Sequence, residues 1–140
     1  MGQIASALER GAHLVGSYLD ATLNSFGLTQ GEAHVLAELE RTGPMAIGAL
    51  HHEFAHKRST LTNILDRLEK RKWLRRELNA EDRRSYIVSL TPQGRKVARQ
   101  LSDVLDGLQR QLAATIPKGD SEGLERVVAA LETIIARRRT

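Results

Sequence analysis

Apolar residues recur along most of the chain at the three- and four-residue spacing of helices. From Ile4 to Phe26 they form a narrow stripe, which predicts one helix of about twenty residues with a partner helix along its seam. Gly27 ends this helix, and residues 29–32 (Thr-Gln-Gly-Glu) have the sequence of a capping box. A second helix is therefore predicted to begin there and to end near residues 42–44.

The middle of the chain has the pattern of a helix-turn-helix. A short helix is predicted at residues 46–53, and an amphipathic helix at 59–72 carries apolar residues at 61, 64, 65 and 68 on one face. The opposite face is polar and rich in hydrogen-bond donors, as in helices that enter the major groove of DNA. Asn and Arg side chains can bond the edges of adenine and guanine. The candidate DNA contacts on and beside this face are Lys57, Arg58, Ser59, Thr60, Thr62, Asn63 and Arg67.

A hairpin is predicted after this helix. The runs 73–78 and 85–90 carry β-branched and aromatic residues, and the loop 79–84 between them is charged, so the hairpin is a candidate wing. Thr91 and Pro92 then predict the start of a long helix, because threonine is a good N-cap and proline suits the first helical position. The same reasoning predicts that Asp120 or Ser121 caps the last helix.

The predicted fold class is mainly α with a small β-hairpin wing. We expect a single domain over residues 1–140, with a winged helix-turn-helix core at 28–94 and dimerisation helices at 1–26 and 95–140. The end helices carry apolar seams without an internal partner, which predicts a homodimer. The expected interface residues are Ile4, Leu8, Val15, Leu19, Leu124, Val128, Leu131 and Ile135.

Composition excludes several kinds of site. Because the chain has no cysteine, it has no disulfide, no thiolate zinc site and no cysteine nucleophile. No apolar run approaches the length of a membrane helix, so we expect a cytoplasmic protein. We expect no catalytic residues, no metal and no cofactor. Aromatic residues make up only 4% of the chain, too few for stacking on single strands, which favours duplex DNA over RNA.

The positive charge is confined to one segment. The whole chain carries +4, whereas residues 57–84 contain ten basic and five acidic residues and carry +5. This segment covers the amphipathic helix and the wing, as expected of a protein that grips a phosphate backbone with one face. We expect phosphate contacts from Arg83 and Arg84, and from the basic run at 70–72 with Arg75 and Arg76.

The segments 61–71 (Leu-Thr-Asn-Ile-Leu-Asp-Arg-Leu-Glu-Lys-Arg), 82–85 (Asp-Arg-Arg-Ser) and 90–94 (Leu-Thr-Pro-Gln-Gly) resemble the MarR family of bacterial winged-helix transcription regulators. The resemblance implies a homodimer that binds a pseudo-palindromic operator, most often as a repressor. It implies that the helix at 59–72 is the recognition helix. It also implies that Arg84 is a wing-tip arginine that reaches the minor groove, with Asp82 orienting it.

Two departures from the family pattern concern local geometry. The family usually has glycine where Lys72 stands, so we expect the left-handed helix cap there to be built differently or omitted. It often has Ser or Thr near Lys57, where a cap would start the recognition helix.

The resemblance further implies a pocket for a small ligand, such as an aromatic or phenolic compound, between the dimer helices and the DNA-binding core. His13, Tyr18 and His34 are scarce residue types in an aliphatic chain and are the candidates for this pocket. Ordinary packing or partial exposure is the alternative for all three.

Two other functions remain open at this point. Residues 52–56 (His-Glu-Phe-Ala-His) match the zinc metalloprotease motif, which needs both histidines on one face of a continuous helix. In a winged-helix fold His52 and His56 do not share such a face. The second alternative is a winged-helix module that binds protein, which commonly lacks a basic wing and a polar outer stripe.

Overall fold

A computed structural model describes residues 3–54 and 58–139 of the chain as six helices and three strands. It divides into two compact units, the first ending at Leu105 and the second beginning at Asp106. The elements in chain order are α1 (Gln3–Phe26), α2 (Gln30–Thr42), β1 (Met45–Ala46), α3 (Ile47–Phe54), α4 (Arg58–Lys70), β2 (Leu74–Leu78), β3 (Tyr86–Leu90), α5 (Pro92–Thr115) and α6 (Asp120–Arg138).

The predicted fold class is confirmed. The hairpin pairs β2 with β3, antiparallel, from Leu74 opposite Leu90 to Leu78 opposite Tyr86. One strand was not predicted: β1 adds a third, antiparallel strand beyond β3, with Met45 opposite Val88. Two residues are too few for a periodic signal. The sequence pattern places Ala46 in the short helix, which begins one residue later.

The core of the first unit forms around the apolar face of α4. Leu68 is fully buried, and Leu61, Ile64 and Leu65 are at most 3% exposed. Helix α2 and strand β2 pack against α4. Each buried leucine or isoleucine contributes about 2 kcal/mol of transfer free energy, so this face fixes which side of α4 points outward. The rest of the core comes from α1, α2, α3, the sheet and the start of α5: Leu19, Leu23, Leu28, Ala33, Val35, Leu36, Leu39, Leu50, Leu74, Val88, Leu90, Val97, Ala98 and Leu101.

The predicted capping box at the start of α2 is confirmed. Thr29 Oγ1 accepts a hydrogen bond from the backbone N–H of Glu32, and Glu32 Oε1 accepts one from the backbone N–H of Thr29. The Thr29 hydroxyl also donates to Glu32 Oε1 at 2.9 Å. Glu32 is only 4% exposed, so its carboxylate needs these hydrogen bonds and the nearby guanidinium of Arg67.

The turn after α4 differs from the expectation that the left-handed cap at Lys72 is built differently or omitted. This residue itself adopts the left-handed conformation, with φ +63°. The N–H of Trp73 bonds the carbonyl of Leu68, and that of Lys72 bonds the carbonyl of Glu69. These two bonds are the Schellman arrangement, so the family's left-handed cap is present here with lysine in place of glycine.

We expect Lys72→Gly to raise the free energy of unfolding by about 1 kcal/mol, because a left-handed backbone strains a side chain with a Cβ atom and not glycine. Urea denaturation measures the change, and Lys72→Ala is the control, since it removes the charge and keeps the strain. Equal stability of Lys72→Gly and Lys72→Ala would contradict the role of strain.

The two remaining helix starts give one confirmation and one correction. Thr91 caps α5, since its Oγ1 accepts from the N–H of Gly94 at 3.0 Å. The cap of α6 was predicted wrongly: its N-cap is Gly119, left-handed at φ +97°, with no side-chain cap bond. Neither Asp120 nor Ser121 takes that role, because both lie inside the first turn of the helix.

The expected interface residues differ in exposure within one chain. Ile4 is 68% exposed and Leu8 and Val15 are half-buried, whereas Leu19 is 6% exposed and packs in the core of the first unit. Leu19 therefore has little surface left for a partner. On α6, described by itself, Leu124, Val128, Leu131 and Ile135 are all exposed. Over the described residues, no helix combines the length and apolarity that a membrane span requires.

Candidate nucleic-acid interface

The outward face of α4 carries most of the predicted DNA contacts. Ser59, Thr60, Thr62 and Asn63 are exposed, because the buried leucines of the same helix hold the opposite side. Arg58 is the first residue of α4, and Lys57 lies outside the described residues. Hydroxyl and amide side chains on one exposed face can reach base edges and phosphates at the same time.

Arg67 at the end of this face has a partner within the protein. Its Nε lies 3.6 Å from Oε1 of Glu32, the nearly buried carboxylate of the α2 cap. The Arg67 side chain is still 52% exposed. The ion pair joins α4 to the start of α2, and sequence patterns identified Glu32 only as a capping residue.

The wing loop is ordered by its own side chains. Asp82 Oδ1 accepts a hydrogen bond from the backbone N–H of Arg84 at 3.1 Å, and the Asp82 carbonyl accepts from the N–H of Ser85. Asn79 Oδ1 accepts from the N–H of Glu81 in the same way. Asp82 thus contacts the backbone of Arg84 at the tip, where the side chains of Arg83 and Arg84 are exposed.

Arg76 is held by two carboxylates of α4. Its Nε lies 2.7 Å from Glu69 Oε2 and its Nη2 lies 2.6 Å from Asp66 Oδ1. The hydrogen bond to Glu69, together with that to Asp66, raises the pKa of Arg76 although partial burial opposes the rise. The guanidinium thereby joins the hairpin to α4, and the expected phosphate contact of Arg76 stays a prediction.

Arg71 also bonds inward. Its Nη1 donates to the carbonyl of Gly27 at 3.1 Å and its Nη2 donates to the carbonyl of Phe26. Its guanidinium lies over the Trp73 ring, 3.7 Å from the centroid. These bonds hold the guanidinium against α1, and the expected phosphate contact of Arg71 stays a prediction.

The cations available on the surface are fewer than the sequence suggested. Arg75 lies 3.6 Å from Glu77. Among the described residues of the basic segment, the exposed side chains of Lys70, Lys72, Arg83 and Arg84 form no ion pair. These four charges lie at the C-terminal end of α4 and at the wing tip.

A cavity of about 320 Å³ lies between α3, α4 and the wing. The Nδ1 atom of His51 in its wall is buried and has no hydrogen-bond partner among the described residues. The predicted ligand residues His13, Tyr18 and His34 do not line this cavity and are exposed on α1 and α2. The lining residues are Ile47, Gly48, His51, Leu61, Thr62, Leu65, Arg76, Arg84, Ser85 and Tyr86.

The protease alternative gains no support. His52 and Glu53 are exposed in the last turn of α3, and His56 lies outside the described residues. Within ranges 3–54 and 58–139, no three His, Asp or Glu side chains are grouped to hold a metal ion.

Fold and site together define a winged helix-turn-helix protein, and comparison identifies its family. The MarR family model matches residues 28–86. The transcriptional regulator YfiV of Bacillus subtilis is 31% identical over 109 residues, which cover 75% of this chain and 68% of YfiV. The chain belongs to the MarR family of transcriptional regulators.

Other relatives agree with this assignment. The regulator PecS of Dickeya dadantii is 37% identical over 94 residues, which cover 65% of this chain and 57% of PecS. Two solved structures share the fold. S. aureus MepR in its DNA-binding conformation has a TM-score of 0.83 and 19% identity, and the match covers 94% of this chain and 98% of MepR. NadR in complex with 4-hydroxyphenylacetate has a TM-score of 0.81 and 22% identity, and the match covers 91% of each chain.

The two neighbouring arginines of β2 provide a test of the Arg76 contacts. Arg76→Gln is expected to lower the free energy of unfolding by about 1 kcal/mol, a value reduced because both carboxylates are partly exposed. Arg75→Gln removes the same charge from a side chain that is 63% exposed, so its stability change should be near zero. Equal stability loss in both variants, measured by urea denaturation, would argue against the bridge.

Proposed function

We propose that the protein is a homodimeric repressor that binds duplex DNA in the bacterial nucleoid. The observation that carries this proposal is that Thr62 of α4 and Arg84 of the wing line the same cavity. Recognition helix and wing therefore present side chains to one shared ligand surface. The exposed donors of α4 would contact base edges in the major groove, while Arg84 would reach the minor groove.

The exposed apolar residues of the end helices support a dimer. A soluble monomer rarely leaves a row of large apolar side chains in water, and on α6 Leu124 is 54% exposed and Leu131 is 43% exposed. A two-fold axis would place two recognition helices about 34 Å apart, so half-sites would lie roughly 10 bp from centre to centre.

The alternatives fit the molecule less well. A winged helix that binds protein has no need for exposed arginines at the wing tip or for a polar outer stripe on α4, and both are present. An enzyme requires a cluster of reactive groups, whereas the exposed groups of this face are donors suited to binding. We therefore propose a regulator without catalytic activity.

We expect Arg84→Ala to weaken duplex binding more than tenfold without a change in dimerisation, because a minor-groove arginine and a phosphate contact are both lost. The duplex is chosen by selection from a random library with the wild-type protein, and fluorescence anisotropy measures its affinity. Lys96→Ala, which removes one exposed cation of α5 outside the basic segment, should bind like wild type. An Arg84→Ala variant with wild-type affinity would contradict the wing's role.

Leu131→Asp is expected to shift the protein from dimer to monomer in sedimentation velocity, because it places a charge in an apolar interface. Glu132→Asp, one position along α6, should remain dimeric. If Leu131→Asp sediments as wild type, α6 does not form the interface.

We also propose that a small phenolic acid binds in the cavity between α4 and the wing. Its volume suits such a compound, and the His51 and Arg84 side chains are polar members of its lining. A ligand there would compete with the DNA contacts of Arg84. NadR binds 4-hydroxyphenylacetate, which makes this compound a reasonable first probe.

Calorimetry with 4-hydroxyphenylacetate separates the two candidate ligand sites. His51→Ala should weaken its binding at least about fivefold, because the ligand loses a hydrogen bond of roughly 1 kcal/mol from the imidazole. His34→Ala should leave the affinity unchanged. The reverse pattern would instead locate the ligand beside His13, Tyr18 and His34.

A further inference from the structure

Three helices meet at the turn that follows α4. The C-terminal end of α1 supplies two backbone carbonyls, those of Phe26 and Gly27, and Arg71 donates one hydrogen bond to each. The partners are 45 and 44 residues apart in the chain. Carbonyls at the end of a helix have no partner within that helix, so the guanidinium caps α1.

Aromatic contacts reinforce this connection. The Arg71 guanidinium lies 3.7 Å from the centroid of the Trp73 ring, and Phe26 forms a T-shaped pair with the same ring at a centroid distance of 6.2 Å. Arg71 is thus fixed by two hydrogen bonds and by stacking on a ring that itself touches α1. A planar guanidinium stacks flat on the ring while two of its nitrogens donate side by side, a geometry that the single point charge of a lysine ammonium does not reproduce.

The same turn is bonded to the start of α5. The Thr91 hydroxyl donates to the carbonyl of Lys72 at 2.6 Å, and the N–H of Thr91 donates to the carbonyl of Trp73 at 3.1 Å. A Cβ atom on Gly94 would lie 1.8 Å from that carbonyl oxygen, so only glycine permits this close approach. The end of α4 is therefore joined to α1 on one side and to α5 on the other.

We propose that Arg71 is a positioning residue that fixes the orientation of the recognition helix relative to α1 and so sets the separation of the two recognition helices in the dimer. The separation of the two recognition helices rests on the proposed function, because it requires the dimer. The orientation of α4 relative to α1 is a property of a single chain. A helix that forms the dimer can control α4 only through contacts such as these, because side chains and hydrogen bonds carry the orientation across packed elements.

The competing role for Arg71 is a phosphate contact, and the two roles differ in what lysine can replace. A phosphate contact needs a positive charge, which Arg71→Lys keeps. The cap and the stacked ring need the guanidinium, which Arg71→Lys removes. Lys70→Ala is the matched control, because it removes an exposed cation one position away.

The absence of cysteine makes a direct distance measurement possible. Spin labels at Asp20→Cys on α1 and Asn63→Cys on α4, both exposed positions, report the orientation within one chain when the labelled protein is mixed with excess unlabelled protein. Asn63→Cys alone, undiluted, reports the distance between two recognition helices. Double electron–electron resonance is recorded for wild-type, Arg71→Ala, Arg71→Lys and Lys70→Ala backgrounds.

We expect both Arg71 variants to widen the intrachain distribution about twofold, because two hydrogen bonds and a cation–π contact are lost, and to widen the interchain distribution with it. Lys70→Ala should match wild type. Unchanged intrachain distances in Arg71→Ala would overturn the proposal, as would Arg71→Lys restoring wild-type distances. An undiluted Asn63→Cys sample without a dipolar signal would refute the dimer instead, while the intrachain pair still decides the role of Arg71.

Discussion

Burial of the apolar face of α4 is the constraint on which the rest of this structure depends. Leu61, Ile64, Leu65 and Leu68 have almost no exposed surface, and a rotation of the helix would move several of them into water at about 2 kcal/mol each. The polar face is thereby directed outward without any contribution from DNA. Helix α2, β2 and the wing then take their places around this one helix.

Several cations near α4 have partners within the protein and so contribute to this arrangement. Arg67 pairs with Glu32, Arg76 with Asp66 and Glu69, and Arg71 with carbonyls of α1. The wing and the ends of three helices are held by these arginines. The exposed cations at the end of α4 and at the wing tip form no ion pair within the described residues, so the unpaired charge of the segment is smaller than its net basic content suggests.

Periodic patterns predicted the elements that obey local rules. The stripe of α4, the Thr29–Glu32 capping box and the Thr91 cap are all readable within a few residues, and the structure has each of them. The partners of Arg71, 44 and 45 residues away, have no local signal. The left-handed Lys72 differs from the expectation for this cap, and the hydrogen bond from Thr91 to its carbonyl comes from a residue 19 positions away that a local pattern does not include. The DNA contacts proposed for Ser59, Thr62, Asn63 and Arg84 remain predictions that geometry supports.

In the proposed function, the outward face of α4 and the wing form an electrostatic surface for duplex DNA. The most direct test is the affinity for a selected duplex measured from about 50 to 200 mM salt, since each phosphate neutralised contributes about −0.9 to the slope of log K against log salt. With exposed cations on two recognition helices and two wings, we predict a slope steeper than about −4. A slope near zero, or equal affinity for the corresponding single strand, would contradict the account.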